Sequence, residues 1–77
     1  MVVYNIENSQ VISDDMTSLE FIEWYTDSFD FENWIERKNY NRDYGIKRLE
    51  HDLKILLDYG YSNNKNNIEW NGYLFEL

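Results

Sequence analysis

A chain of 77 residues with a formal net charge of −8 has room for one core and one or two binding surfaces, but little bulk to wall off a deep substrate cleft. It contains no cysteine, which excludes a disulfide framework and a thiolate zinc site and favours a reducing compartment. Aromatic residues make up 18% of it, too many for a disordered acidic tail, so the chain is expected to fold as a single domain spanning 1–77.

The opening residues, Met1 to Glu7, carry neither a basic leader nor a long apolar run, and no segment approaches the roughly 18 apolar residues of a membrane span. The expectation is a cytoplasmic protein without a membrane partner. Alanine and proline are absent while asparagine, isoleucine and tyrosine are frequent. An AT-rich coding sequence produces that bias, which points to a low-GC bacterium or to a phage or mobile element within one.

Residues 2–6 are β-branched and aromatic and read as a strand, with a turn at Glu7-Asn8-Ser9 and a short second strand at 10–13. A helix entry follows. With Thr17 as N-cap, Glu20 falls at the third helical position, the capping-box spacing. This helix is expected to run to about Ser28, with Phe21, Ile22, Tyr25 and Phe29 on its apolar face and Glu20, Glu23, Asp27 and Asp30 on another.

Continuing one helix would carry Phe31, Trp34 and Ile35 onto the acidic stripe. A break is therefore expected near Ser28–Asp30, with Asp30 capping a second helix at 31–39. A third helix is expected from about Arg42 to Tyr59. Ile46, Leu49, Leu53, Leu56 and Leu57 give it an apolar stripe, and Gly60 is expected to stop it.

After a polar loop at 62–67, Asn71-Gly72 is a strong two-residue hairpin signal, because both residues accept a positive φ. The turn pairs Trp70 with Tyr73 and Ile68 with Phe75, placing these four and Leu77 on one face. Strands, helices and a closing hairpin together imply an α+β fold: a small antiparallel sheet, formed by the N-terminal strand or hairpin plus the C-terminal hairpin, packed on about three helices.

Catalytic chemistry has little to work with. The one histidine, His51, lies about 140° from Ile46 on the third helix and off its apolar stripe. There is no Gly-x-Ser-x-Gly element, and three scattered glycines make no phosphate loop. Asp14-Asp15 and Asp27-x-x-Asp30 lack the alternating pattern of a calcium loop and read as helix caps. The expectation is a protein that is not an enzyme and needs no metal or cofactor.

Charge is the informative feature. Residues 1–36 hold nine acids and no Lys or Arg, whereas residues 37–54 hold six bases. The basic stretch interleaves Arg37, Lys38, Arg42, Lys47 and Arg48 with Tyr40 and Tyr44, a pattern that can track phosphates. The net charge nevertheless repels a polyanion, so no direct nucleic-acid binding is expected.

The acids instead suggest a surface that attracts a basic groove. Candidate partner-binding residues are Asp14, Asp15, Glu20, Glu23, Trp24, Asp27, Asp30, Glu32 and Glu36. Of these, Glu20, Glu23, Asp27 and Asp30 sit three to four residues apart, about 4.5–6 Å per step along a helix, which is of the order of the phosphate spacing in DNA. The expected function is inhibition: blocking the nucleic-acid-binding surface of a basic host protein, such as a defence or nucleic-acid-processing enzyme, as a DNA mimic. In size and acidity the chain resembles small phage anti-defence proteins of the anti-CRISPR and anti-restriction kind. The alternative is an antitoxin-, immunity- or regulator-type module that binds through exposed aromatic residues, or a homodimer.

Overall fold

The computed structural model describes residues 1–77. In chain order the elements are β1 (Val2–Asn5), β2 (Gln10–Ser13), α1 (Ser18–Thr26), α2 (Phe29–Lys38), α3 (Arg42–Ser62), β3 (Asn67–Trp70) and β4 (Tyr73–Glu76). The four strands form one antiparallel sheet in the order β2-β1-β4-β3. The N-terminal hairpin and the C-terminal hairpin thus meet at the β1–β4 seam, and the fold is α+β as the element order implies.

The closing hairpin follows from its turn chemistry. Asn71 and Gly72 take φ of 48° and 84°, the pair of positive angles that matches strand twist. The resulting register is Trp70↔Tyr73 and Ile68↔Phe75. Val3 pairs with Phe75 on the other side, so Val3, Phe75 and Ile68 form a row on the inner face. All three are buried.

Against that face the helices pack Phe21 and Tyr25 from α1, Phe31, Trp34 and Ile35 from α2, and Leu49, Leu53 and Leu57 from α3. Aromatic rings dominate the contact. Phe21 stacks on Tyr25 at 5.5 Å and meets Phe75 edge-on at 4.9 Å. Such pairs add about 0.5–1.5 kcal/mol each beyond area burial, which helps a chain this small hold three helices on a four-stranded sheet. The opposite sheet face carries Val2, Tyr4, Val11, Leu74, Glu69 and Glu76, all half-buried or exposed.

The helix boundaries depart from expectation in three places. The first helix ends at Thr26 and the second begins at Phe29, with Ser28 rather than Asp30 as its N-cap. The Ser28 hydroxyl serves both helices: it accepts from Phe31 N–H at 3.2 Å and donates to the Tyr25 carbonyl at 2.6 Å.

This earlier break takes Phe29 out of the apolar face of α1. Its side chain is 80% exposed. The third helix does not stop at Gly60 but continues to Ser62. Gly60 is buried where α3 crosses the C-terminal strands, and an added Cβ would lie 2.6 Å from Leu77 Cδ1 and 2.8 Å from Ile68 Cγ1. The glycine is there for close approach, not for termination.

Arg42 fastens the helical layer. Its guanidinium donates to Glu32 Oε1 and to the Thr26 carbonyl, both at 2.9 Å, and lies over the Phe31 ring at 5.3 Å. It thereby satisfies a carbonyl left open at the end of α1 and ties α2 to the start of α3.

Candidate functional site

The solvent face of α1 is set by what the helix buries. The capping box forms as the sequence implies: Glu20 N–H donates to Thr17 Oγ1, and Thr17 N–H donates to Glu20 Oε1, each at 3.1 Å. Phe21 and Tyr25 then point into the core with no exposed surface. At 100° per residue, Glu20, Glu23 and Asp27 fall within about 60° of one another on the opposite side. Leu19 and Trp24 border them, each about 40° beyond the outermost acid.

Trp24 is a fixed edge to this face. It is 39% exposed, and its indole rests on Phe21 at 5.9 Å and edge-on to Tyr73 at 6.1 Å. A ring held on one side and open on the other loses little entropy when a partner covers it.

The acids are largely without cations. Of the fifteen, only Glu32, with Arg42 at 2.9 Å, and Asp52, with Arg48 at 3.3 Å, form ion pairs. The charge on α1 is therefore not neutralised within the fold.

The nine candidate residues do not form one surface. Glu20, Glu23, Trp24 and Asp27 come together on α1. Asp14 and Asp15 are exposed in the bend ahead of that helix, and the Asp15 N–H is held by Ser13 Oγ at 3.2 Å. Asp30, Glu32 and Glu36 lie on α2, where Asp30 and Glu32 are about 160° apart. Glu32 is spent on Arg42, and Glu36 is exposed without an ion-pair partner.

Asp30 is partly spent as well. It accepts a hydrogen bond from the Tyr73 hydroxyl at 2.7 Å. Burial, reinforced by this bond, pushes the Tyr73 phenol well above its ordinary pKa. Burial likewise pushes Tyr25 up to about 12, although the amide of Asn71, donating to its hydroxyl at 3.1 Å, works the other way. Both phenols are therefore neutral near pH 7, joining hairpin to helices by hydrogen bonds rather than by charge.

Two exposed apolar side chains near the acids were not anticipated. Leu19 was visible in the α1 periodicity beside Glu23. Phe29 depended on placing the break at Ser28, which the hydroxyl of that residue decides.

His51 is exposed on α3. No group of three or more His, Cys, Asp or Glu side chains is arranged to hold a metal ion, and no helix is long and apolar enough to cross a membrane. No family model matches the sequence, and neither a curated protein nor a solved structure matches the chain.

Proposed function

We propose that this chain is a protein-binding inhibitor whose acidic α1 face occupies the nucleic-acid-binding groove of a basic protein. One observation carries the proposal: Glu20, Glu23 and Asp27 lie together on the solvent face of α1 with no cation to neutralise them. A helix destined only for solvent gains by mixing signs at i,i+4, and this one has no basic residue at all. Trp24 and Leu19 beside the acids supply the apolar contact that charge alone lacks, since interface energy concentrates in buried aromatic anchors. The charge steers the encounter and selects a basic partner, and Trp24 slows its escape.

A phage or mobile element in a low-GC bacterium would aim such a surface at a host defence or nucleic-acid-processing protein. The test is capture from such a bacterial lysate by the full chain, followed by addition of duplex DNA. The captured protein is expected to be nucleic-acid-binding and to be displaced by the DNA. The triple variant Glu20→Gln, Glu23→Gln, Asp27→Asn should capture it at least tenfold more weakly, about 1.4 kcal/mol. Capture unaffected by both DNA and the triple variant would overturn the proposal.

The second reading, an apolar interaction module, is favoured by the exposure of Phe29 and of the outer sheet face. It predicts that Trp24→Ser or Phe29→Ser abolishes capture while the triple amide variant leaves it intact.

A further inference from the structure

The bases that the acidic face leaves unexplained are brought together elsewhere. Arg37 and Lys38, from the last turn of α2, and Arg48, from α3, line one open groove of about 550 Å³ beside the β3–β4 turn. Arg37 and Lys38 have no ion-pair partner, while Arg48 is held through Nε by Asp52 at 3.3 Å. Asp52 thus aims the guanidinium without using its terminal nitrogens. Three cations and one acid leave the groove with two formal positive charges in a chain whose total is −8.

The rest of the lining is aromatic except for Asn71 of the turn. Trp34, Tyr40 and Trp70 form a chain of edge-on contacts, with Trp34 5.7 Å from each neighbour. Trp34 is buried, whereas Tyr40 and Trp70 are half-buried and keep ring surface open. Bases in the last turn of a helix complement its dipole, which accounts for Arg37 and Lys38. It does not account for Arg48 arriving from another helix, nor for the open rings between them.

We propose that this groove binds a nucleoside phosphate. Arg37, Lys38 and Arg48 take the phosphate, and the base lies against the open rings of Tyr40 and Trp70. The chemistry fits at each point. Guanidinium groups match phosphate oxygens in geometry as well as charge. Bases stack on aromatic rings whatever their identity, because every base has a π-face. The volume is within the range of small-ligand sites.

The overall negative charge does not forbid this. The Debye length at physiological ionic strength is about 8 Å, so remote acids are screened while contact cations are not. Within the groove the one acid is Asp52, already engaged with Arg48; Glu7 and Asp30 line an adjoining crevice that shares Arg37 and Asn71 with it. The ligand could be a free mononucleotide or the phosphorylated end of a strand, which present the same groups.

The test is an NMR titration of the full ¹⁵N-labelled chain with adenosine 5′-monophosphate, adenosine, inorganic phosphate and a short 5′-phosphorylated DNA oligonucleotide. The mononucleotide should shift the indole signals of Trp34 and Trp70 but not that of Trp24, and bind at least tenfold more tightly than adenosine or phosphate. Arg37→Gln combined with Lys38→Gln, both exposed positions, should weaken it at least tenfold with the remaining spectrum unchanged. Tighter binding of the oligonucleotide assigns the site to a strand end, and equal or weaker binding assigns it to the free nucleotide.

No shift at about 5 mM mononucleotide, a millimolar-range limit, would overturn the proposal. So would phosphate binding equally well, or undiminished affinity in the double variant. The acidic-face triple variant should keep nucleotide binding, so failure of the α1 interface and failure of this groove give different results.

Discussion

Two buried phenols make the protein's stability respond to alkali. Tyr25 and Tyr73 are raised above the ordinary value of 10.0, chiefly by burial. Between that pH and their folded values the native chain holds protons that the unfolded chain releases. Their contribution is complete below pH 10 and is lost as pH rises through the window above it, at up to about 1.4 kcal/mol per pH unit for each tyrosine. Urea unfolding midpoints should therefore show no tyrosine-linked fall up to about pH 10 and decline above it.

Tyr73→Phe should roughly halve that alkaline slope. It should also cost about 1 kcal/mol near pH 7, because Asp30 is exposed and recovers water when the hydroxyl is removed. An unchanged alkaline slope in the variant would contradict this account. Burial of Tyr73 was legible in the hairpin register, because a two-residue turn fixes which side chains share a face. Its hydroxyl partner was not, since Asp30 lies 43 residues away in sequence. The same distance hid that Asp30, read as a helix cap, serves the hairpin while Ser28 caps α2.

Local chemistry at the level of elements was read well, and termination set by tertiary contact was not. The Thr17–Glu20 box and the Asn71–Gly72 turn are complete within a few residues, and both form as the sequence implies. Thr17→Ala should cost about 1 kcal/mol, visible as a lowered urea midpoint. Gly60 looked like a stop because glycine commonly ends helices. In the structure the helix passes through it, because Leu77 and Ile68 leave no room for a side chain.

Gly60→Ala should therefore destabilise the fold by about 1–2 kcal/mol, with overpacking outweighing the roughly 1 kcal/mol gain in helix propensity. Increased stability on this substitution would show that the strand ends yield freely. The break at Ser28 has the same lesson. A phase change in the apolar pattern announced it within two residues, but the hydroxyl bonds that place it decide whether Phe29 joins the core or the surface.

The molecule as a whole is bipolar, and the structure assigns that polarity to particular places. Acids of α1 lie unpaired on one helix face, while Arg37, Lys38 and Arg48 meet beside the hairpin turn. Sequence periodicity alone located the first cluster, because it sits on a single helix. The second draws on two helices and a turn, so no linear pattern shows it. Arg42 and Glu32 appeared on opposite sides of the charge asymmetry, yet they neutralise each other across the helical layer.

If charge on the α1 face holds the partner, binding must weaken with salt. The affinity of the purified captured partner should be measured by calorimetry from about 50 to about 200 mM salt, the range in which phosphate-mimicking contacts are screened. Wild-type affinity should fall steeply across that range, and the Glu20→Gln, Glu23→Gln, Asp27→Asn variant should bind weakly with a much shallower slope. Wild-type affinity independent of salt, or a variant that binds as tightly as the wild type, would contradict the account.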